Sequence, residues 1–165
     1  MSLKTFFLSV FVLLTALSSC KKESQLDEDK DTIVKYLKRN GIDYQKKDNI
    51  YYHVITEGTG EECNAGDTVA LKYRLSLVSD ESAGIDSSLV KAVDFTLPTV
   101  VPTSIEGGLL TGVQIGLTTM RVGGKSKFYI PSVYGYGSSE IAGETYANLI
   151  FYVELCAIKH RDTRH

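Results

Sequence analysis

The chain has 165 residues, 18 basic and 20 acidic, for a net charge of −2 with the histidines neutral. Hydrophobic residues make up 43% and charged residues 23%, which excludes a wholly disordered chain, and the length suits one domain with a short extension. The near-even balance, with no block of Lys and Arg, excludes a nucleic-acid binder that works by phosphate neutralisation, and three cysteines exclude a dense disulfide scaffold.

The first segment reads as an address. Lys4 precedes a mostly apolar stretch, Thr5 to Leu17, and small residues lead into Leu17-Ser18-Ser19-Cys20. A charged start, an apolar middle and a small-residue end describe a secretory signal. The apolar run is shorter than the ~18–20 residues of a membrane span. The cysteine after Leu-Ser-Ser resembles the bacterial lipobox. That resemblance implies cleavage before Cys20, a lipid on the Cys20 sulfur and acylation of the new N-terminus, since more than one acyl chain is needed for durable anchoring. Residues 1–19 are then a lipoprotein signal peptide, and the mature chain is expected at the outer membrane or the periplasmic face of the cell envelope. The alternative is an ordinary secretory leader in which Cys20 is incidental.

Residues 20–31 follow as an expected solvated tether. Lys21 to Asp31 carries eight charges and a single large apolar residue, Leu26, too little to bury a core. Residues 32–48 are expected to form a helical extension. In it Ile33, Val34 and Leu37 share a helical face, Lys38 and Arg39 suit the C-terminal end of the dipole, and Asn40-Gly41 is a stop signal. The folded domain is expected over residues 49–160.

From Asn49 the pattern becomes that of strands. Ile50 to Ile55 is aromatic and β-branched, and Gly58-Thr59-Gly60 closes it. After the turn Asn64-Ala65-Gly66-Asp67, Thr68 to Leu77 alternates as a long strand. A turn-rich stretch from Ser79 to Ser88 leads to a further alternating run, Val93 to Leu97, and Pro98 and Pro102 bracket an irregular connection. Leu109, Leu110, Val113 and Leu117 recur at helical spacing within 109–120. Gly123-Gly124 turns the chain into Lys125–Ile130, and Asn148–Ile158 reads as a terminal strand. The pattern predicts an α+β domain, a curled antiparallel sheet around a short helix, preceded by a short N-terminal helix.

Most standard chemistries are absent. The histidines are His53, His160 and His165, and none belongs to an HExxH or a compact metal-ligand set. No GxSxG elbow or GxxxxGK(S/T) loop occurs, and Gly107-Gly108 is a bare glycine pair. Cys63 and Cys156 lack CxxC spacing, so redox catalysis is not indicated. In an oxidising compartment they could pair, or they could remain two inert thiols.

The distinctive feature is an ordered series of ordinary pieces. Gly58-Thr59-Gly60 precedes Ala65-Gly66-Asp67-Thr68-Val69, Leu71-Lys72-Tyr73 and Ile85-Asp86-Ser87-Ser88. Leu109-Leu110-Thr111-Gly112-Val113 follows with Gly116 and Met120. Then come Val122-Gly123-Gly124-Lys125, Ile130-Pro131, Tyr134-Gly135-Tyr136-Gly137 and Asn148-Leu149-Ile150-Phe151-Tyr152-Val153-Glu154-Leu155. In this order, from Gly58 to Ile158, the series resembles the FKBP-type peptidyl-prolyl cis-trans isomerases, the macrolide-binding immunophilins. The leader and helix ahead of it are similar to those of membrane-anchored bacterial members.

The resemblance implies a proline pocket between helix and sheet, binding proline-containing polypeptides or a macrolide, with no cofactor or metal. By position, Tyr73, Asp86 and Tyr136 match the family's polar and catalytic pocket groups, and Leu109, Leu110 and Phe151 match its apolar walls. Three positions depart. Ile85 stands where the family usually has Phe, Val93 where another aromatic is common, and Val113 where the floor is typically Trp. These changes are expected to widen the pocket. Ile141-Ala142-Gly143-Glu144-Thr145-Tyr146 replaces the usual Ile-Pro-Pro segment with a shorter one, and the connection from Pro98 to Gly108 is longer than usual. The family implies a prolyl isomerase acting on exported proteins; the alternative is a non-catalytic binding or chaperone module with a degraded pocket. Asp86 ahead of Ser87-Ser88 also reads as a turn former, and Leu110 and Phe151 also read as plain core.

Overall fold

The computed structural model describes residues 23–64, 66–87, 93–96 and 109–160. The signal segment, Cys20, and the connection from Pro98 to Gly108 lie outside the described residues.

Alternation of apolar and polar residues builds one antiparallel sheet. Its strands are β1 (Gln45–Lys47), β2 (Ile50–Thr56), β3 (Thr68–Leu77), β4 (Gly84–Ser87), β5 (Val93–Thr96), β6 (Lys125–Ile130) and β7 (Leu149–Lys159). The order is β1-β2-β6-β7-β3-β4, and β5 shares the outer edge of β3 with β4. The long central pair, β3 with β7, runs from Thr68↔Lys159 to Leu77↔Leu149. Period two places Leu71, Leu75, Leu77, Phe128, Ile130, Leu149, Phe151, Val153 and Leu155 in one core, on one face of the sheet. Tyr51, Val78, Tyr129 and Ile150 belong to a second, smaller core with Ile33 and Leu37, on the opposite face.

Helix α2 (Thr111–Leu117) fills the first face, and all seven of its residues are buried. It approaches β6 through its glycines. A Cβ on Gly112 would lie 2.3 Å from Ile130 Cγ2, and one on Gly116 would lie 2.6 Å from the Phe128 ring. The expected helix over 109–120 is trimmed at both ends. Leu110 is extended (φ −59°, ψ 142°), and the Thr118 and Thr119 hydroxyls donate back to the carbonyls of Ile115 and Gly116.

Helix α1, residues 23–39, covers the second face. Its end follows the expected stop: Gly41 takes φ +62°, and the N–H groups of Gly41 and Ile42 donate to the carbonyls of Lys38 and Leu37. Its beginning corrects the expected tether, because residues 23–31 are helical. Glu23, Asp27, Glu28 and Asp31 are exposed, Lys30 pairs with Asp27, and Gln25 donates to Asp29. What ties this turn inward is polar. Asp29 is only 2% exposed, and its partner Ser132 is far away in sequence. The helical extension expected over 32–48 is corrected too, since Gln45–Lys47 forms β1 against β2. The turn-rich stretch from Ser79 to Ser88 contains β4, and a 3-10 turn at Ser132–Tyr134 follows β6.

Candidate functional site

The sequence-matched residues gather where β3, β4, β7, α2 and the segment after β6 meet. Tyr73 and Phe151 come from the paired central strands, and their rings stack with centroids 5.1 Å apart at 15°. Asp86 lies opposite Leu75 in the β3–β4 pairing, so its carboxylate reaches across to Tyr73, whose hydroxyl donates to Oδ2 at 2.7 Å. Burial and that carboxylate push the Tyr73 phenol up to about 12. Burial and the Asp86 charge also raise the Tyr136 phenol. The two tyrosines and the acid therefore form one electrostatic group.

Tyr136 sits between two glycines whose N–H groups, at Gly135 and Gly137, both donate to the Ser132 carbonyl, at 2.9 and 2.8 Å. Among the described residues its own hydroxyl donates to no partner. It is half-buried against the core, as are Ile85 and Tyr73. Leu109 and Leu110 enter α2 as buried residues, and Phe151 is buried beside Tyr73. These side chains supply an apolar wall, one unengaged phenol and one phenol–carboxylate pair.

Val113 does not lie open beneath this group. It has no exposed surface and belongs to the core packed between α2 and the sheet. The widening expected from a lost aromatic is not found at this residue. Val93 lies in β5, paired with Leu71, and its side chain is outside the described residues. Cys63 and Cys156 are free thiols, so the pairing alternative is not formed; burial raises the Cys63 thiol to about 12 and keeps it unreactive.

Two features had little sequence signal. The short segment after Tyr136 is closed by a two-residue turn in which Ala142 and Gly143 have φ of +50° and +86°, with Ile141 and Glu144 bonded to each other. An Asn-Gly pair would have announced such a turn; Ala-Gly does not. The turn sets Ile141 against the core, replacing the longer proline-containing segment. The second is Tyr134, whose hydroxyl accepts from Asn49 Nδ2 at 2.8 Å and ties the loop to the β1–β2 turn. A cavity of about 370 Å³ lies on the other side of the sheet between α1 and residues 144–148, away from this group.

Comparison with known proteins agrees with this geometry. Residues 59–156 match the profile of the family described as FKBP-type peptidyl-prolyl cis-trans isomerase. The FKBP-type peptidyl-prolyl cis-trans isomerase FkpA of Escherichia coli K12 is 28% identical over 126 residues, 76% of this chain and 43% of that protein. The chain thus spans less than half the length of that relative. The FK506-binding protein of Neisseria meningitidis serogroup B is 33% identical over 106 residues, 63% of this chain and 91% of its own length. Among solved structures, that of FkpA from Escherichia coli superposes with a TM-score of 0.62 at 22% identity, covering 97% of this chain and 74% of that one. A Pseudomonas syringae peptidyl-prolyl cis-trans isomerase superposes at 0.63 with 23% identity, covering 84% and 96%. Since the family profile spans most of the sheet, α2 and the tyrosine loop, the chain belongs to the FKBP-type peptidyl-prolyl cis-trans isomerases.

Proposed function

We propose that this chain is a working prolyl isomerase of the cell envelope, accelerating X–Pro rotation in exported polypeptides. The observation that carries the reading is the Tyr73–Asp86 hydrogen bond stacked on Phe151, beside a Tyr136 hydroxyl with no partner among the described residues. Amide resonance sets a barrier of about 18–20 kcal/mol, so the reaction needs no nucleophile, metal or cofactor. An apolar wall of Leu109, Leu110 and Phe151 takes the prolyl ring out of water. Water bound to the carbonyl favours the planar, charge-separated amide, so excluding it favours the twisted one. Tyr136 donates its hydroxyl to the substrate carbonyl. Asp86 orients Tyr73 and polarises the pocket edge without moving a proton. Ile85, packed against the core, adds to that wall where the family has Phe, and a macrolide that mimics the twisted amide would occupy the same surface.

A protease-coupled assay on an X–Pro peptide tests this. The chain should exceed the uncatalysed rate, and Tyr136→Phe or Asp86→Ala should each lower kcat/KM about tenfold, the worth of one ~1.4 kcal/mol contact. Because both phenols are raised, they stay protonated and kcat/KM should be flat between about pH 6 and 9. No rate above background, with macrolide or peptide binding retained, would favour the binding module instead.

The leader supports anchoring through lipid on Cys20. No helix among the described residues is long and apolar enough to cross a membrane. In a Gram-negative host the protein should partition into detergent, and Cys20→Ser should release it or block its processing. Identical fractionation and migration of the two forms would remove the anchor.

A further inference from the structure

Tyr136 is carried by the loop after β6 and Asp86 by β4, which the β3–β4 turn leads into, and both that loop and that turn lead back to α1. Asp29 Oδ2 accepts from the Ser132 N–H at 2.9 Å and from the Ser132 hydroxyl at 2.6 Å. Its other oxygen accepts from Gln25 Nε2 at 3.0 Å. This buried carboxylate has three donors and no cation among its described partners. It is therefore a geometric tie, with Ser132 as the object it holds. Ser132 is in turn the hub of the tyrosine loop, since its carbonyl receives the N–H groups on either side of Tyr136. The Gly137 carbonyl then accepts from Tyr146, which closes the short segment over the same edge.

The second tie lies seven residues along the same helix. The Tyr36 hydroxyl donates to one Glu81 oxygen and Lys127 of β6 to the other. Burial works to raise the Glu81 carboxyl, but the two donors outweigh it and hold it below its ordinary value. Glu81 is in the β3–β4 turn. Arg74 Nη2 donates to the Ser82 carbonyl at 2.9 Å, and Asp80 Oδ1 accepts from Ser82 and Ala83. Three residues beyond Ala83 comes Asp86.

We propose that α1 is the positioning element of the pocket. Asp29 and Tyr36, about two turns apart on one face, hold from behind the sheet the loop that carries Tyr136 and the turn that leads into Asp86 on β4. The inference rests on the reading of those two residues as the pocket's polar groups. It makes Asp29, Tyr36 and Glu81 positioning residues, none of which touches substrate. A loop shifted by about 1 Å can cost orders of magnitude in rate, so small ties have large effects.

The experiment uses the full chain carrying Asp29→Asn or Tyr36→Phe, with Ile33→Val as control. Ile33 shares the buried face of α1 and belongs to the apolar core beneath it. Each variant is assayed at a temperature where all are fully folded. Asp29→Asn and Tyr36→Phe should lower kcat/KM about tenfold per folded molecule while the control matches the parent. Amide exchange should quicken at 132–137 in Asp29→Asn and at 81–86 in Tyr36→Phe, each at its own loop. Unchanged kcat/KM in both, or losses shared equally by Ile33→Val, would overturn the proposal and leave α1 a stabilising element only. If the parent itself shows no turnover, the isomerase reading fails separately. The exchange pattern then decides whether the ties hold the loops, and unchanged exchange overturns them as well.

Discussion

The two faces of the sheet are covered by helices that hold on in opposite ways. Under α2 the contact is steric: seven buried residues, two glycines where a side chain would collide, and an aliphatic core around Phe128 and Phe151. Under α1 the contact is mixed. Ile33 and Leu37 fill a small core, but Asp29 and Tyr36 reach polar groups in distant loops, and a cavity of about 370 Å³ opens along the helix. The α2 face fixes the shape of the wall that a prolyl ring would meet. The α1 face fixes where the loops above that wall stand. A close-packed surface tolerates almost no added volume, whereas a polar tie tolerates volume but not loss of its donor or acceptor.

The sharpest way to break this contrast is to add volume at Val113. Its side chain is wholly enclosed, so Val113→Trp should overpack the α2 face, lowering stability by about 1–3 kcal/mol or more and reducing kcat/KM. Thermal unfolding and the peptide assay measure both. Retained stability with tighter binding of prolyl peptides would mean that space above Val113 had been waiting for the missing ring. The α2 face would then be the loosely packed one.

The same contrast explains which parts were legible in the sequence. Period-two patterning places β3 from Thr68 to Leu77 with both ends right, because each inward residue is apolar and the strand is central. Tyr73, Asp86 and Tyr136 could be placed together because their motifs keep family order, and the structure joins them. The start of α1 could not be read. The segment from Glu23 to Asp31 looks like a solvated run, and what makes it helical and seated is Asp29 meeting Ser132, a pairing invisible to any local rule. β1 and β4 were missed for a related reason: three or four mostly exposed residues carry no alternation to detect. The closed turn at Ala142-Gly143 lacked its usual asparagine.

The smallest expected effect lies on the α1 face, at a polar atom that ties nothing. Tyr129 is completely buried between β6 and α1, its ring 5.9 Å from that of Tyr36, yet its hydroxyl has no hydrogen-bond partner among the described residues. Burial pushes its phenol well above the ordinary tyrosine value, as expected for a hydroxyl whose ionised form no donor supports. A buried hydroxyl without a partner costs about 1–3 kcal/mol of desolvation, so removing it returns part of that while the ring keeps its contacts. Tyr129→Phe should therefore leave stability unchanged or raise it by up to about 1 kcal/mol, in contrast to the loss at Val113. It should leave kcat/KM at the parent value, since Tyr36 still reaches Glu81. Urea unfolding with an unchanged m-value reads the stability change cleanly. A loss of stability instead would show that the Tyr129 hydroxyl is satisfied through a buried water, making the α1 face more completely bonded than its direct contacts indicate.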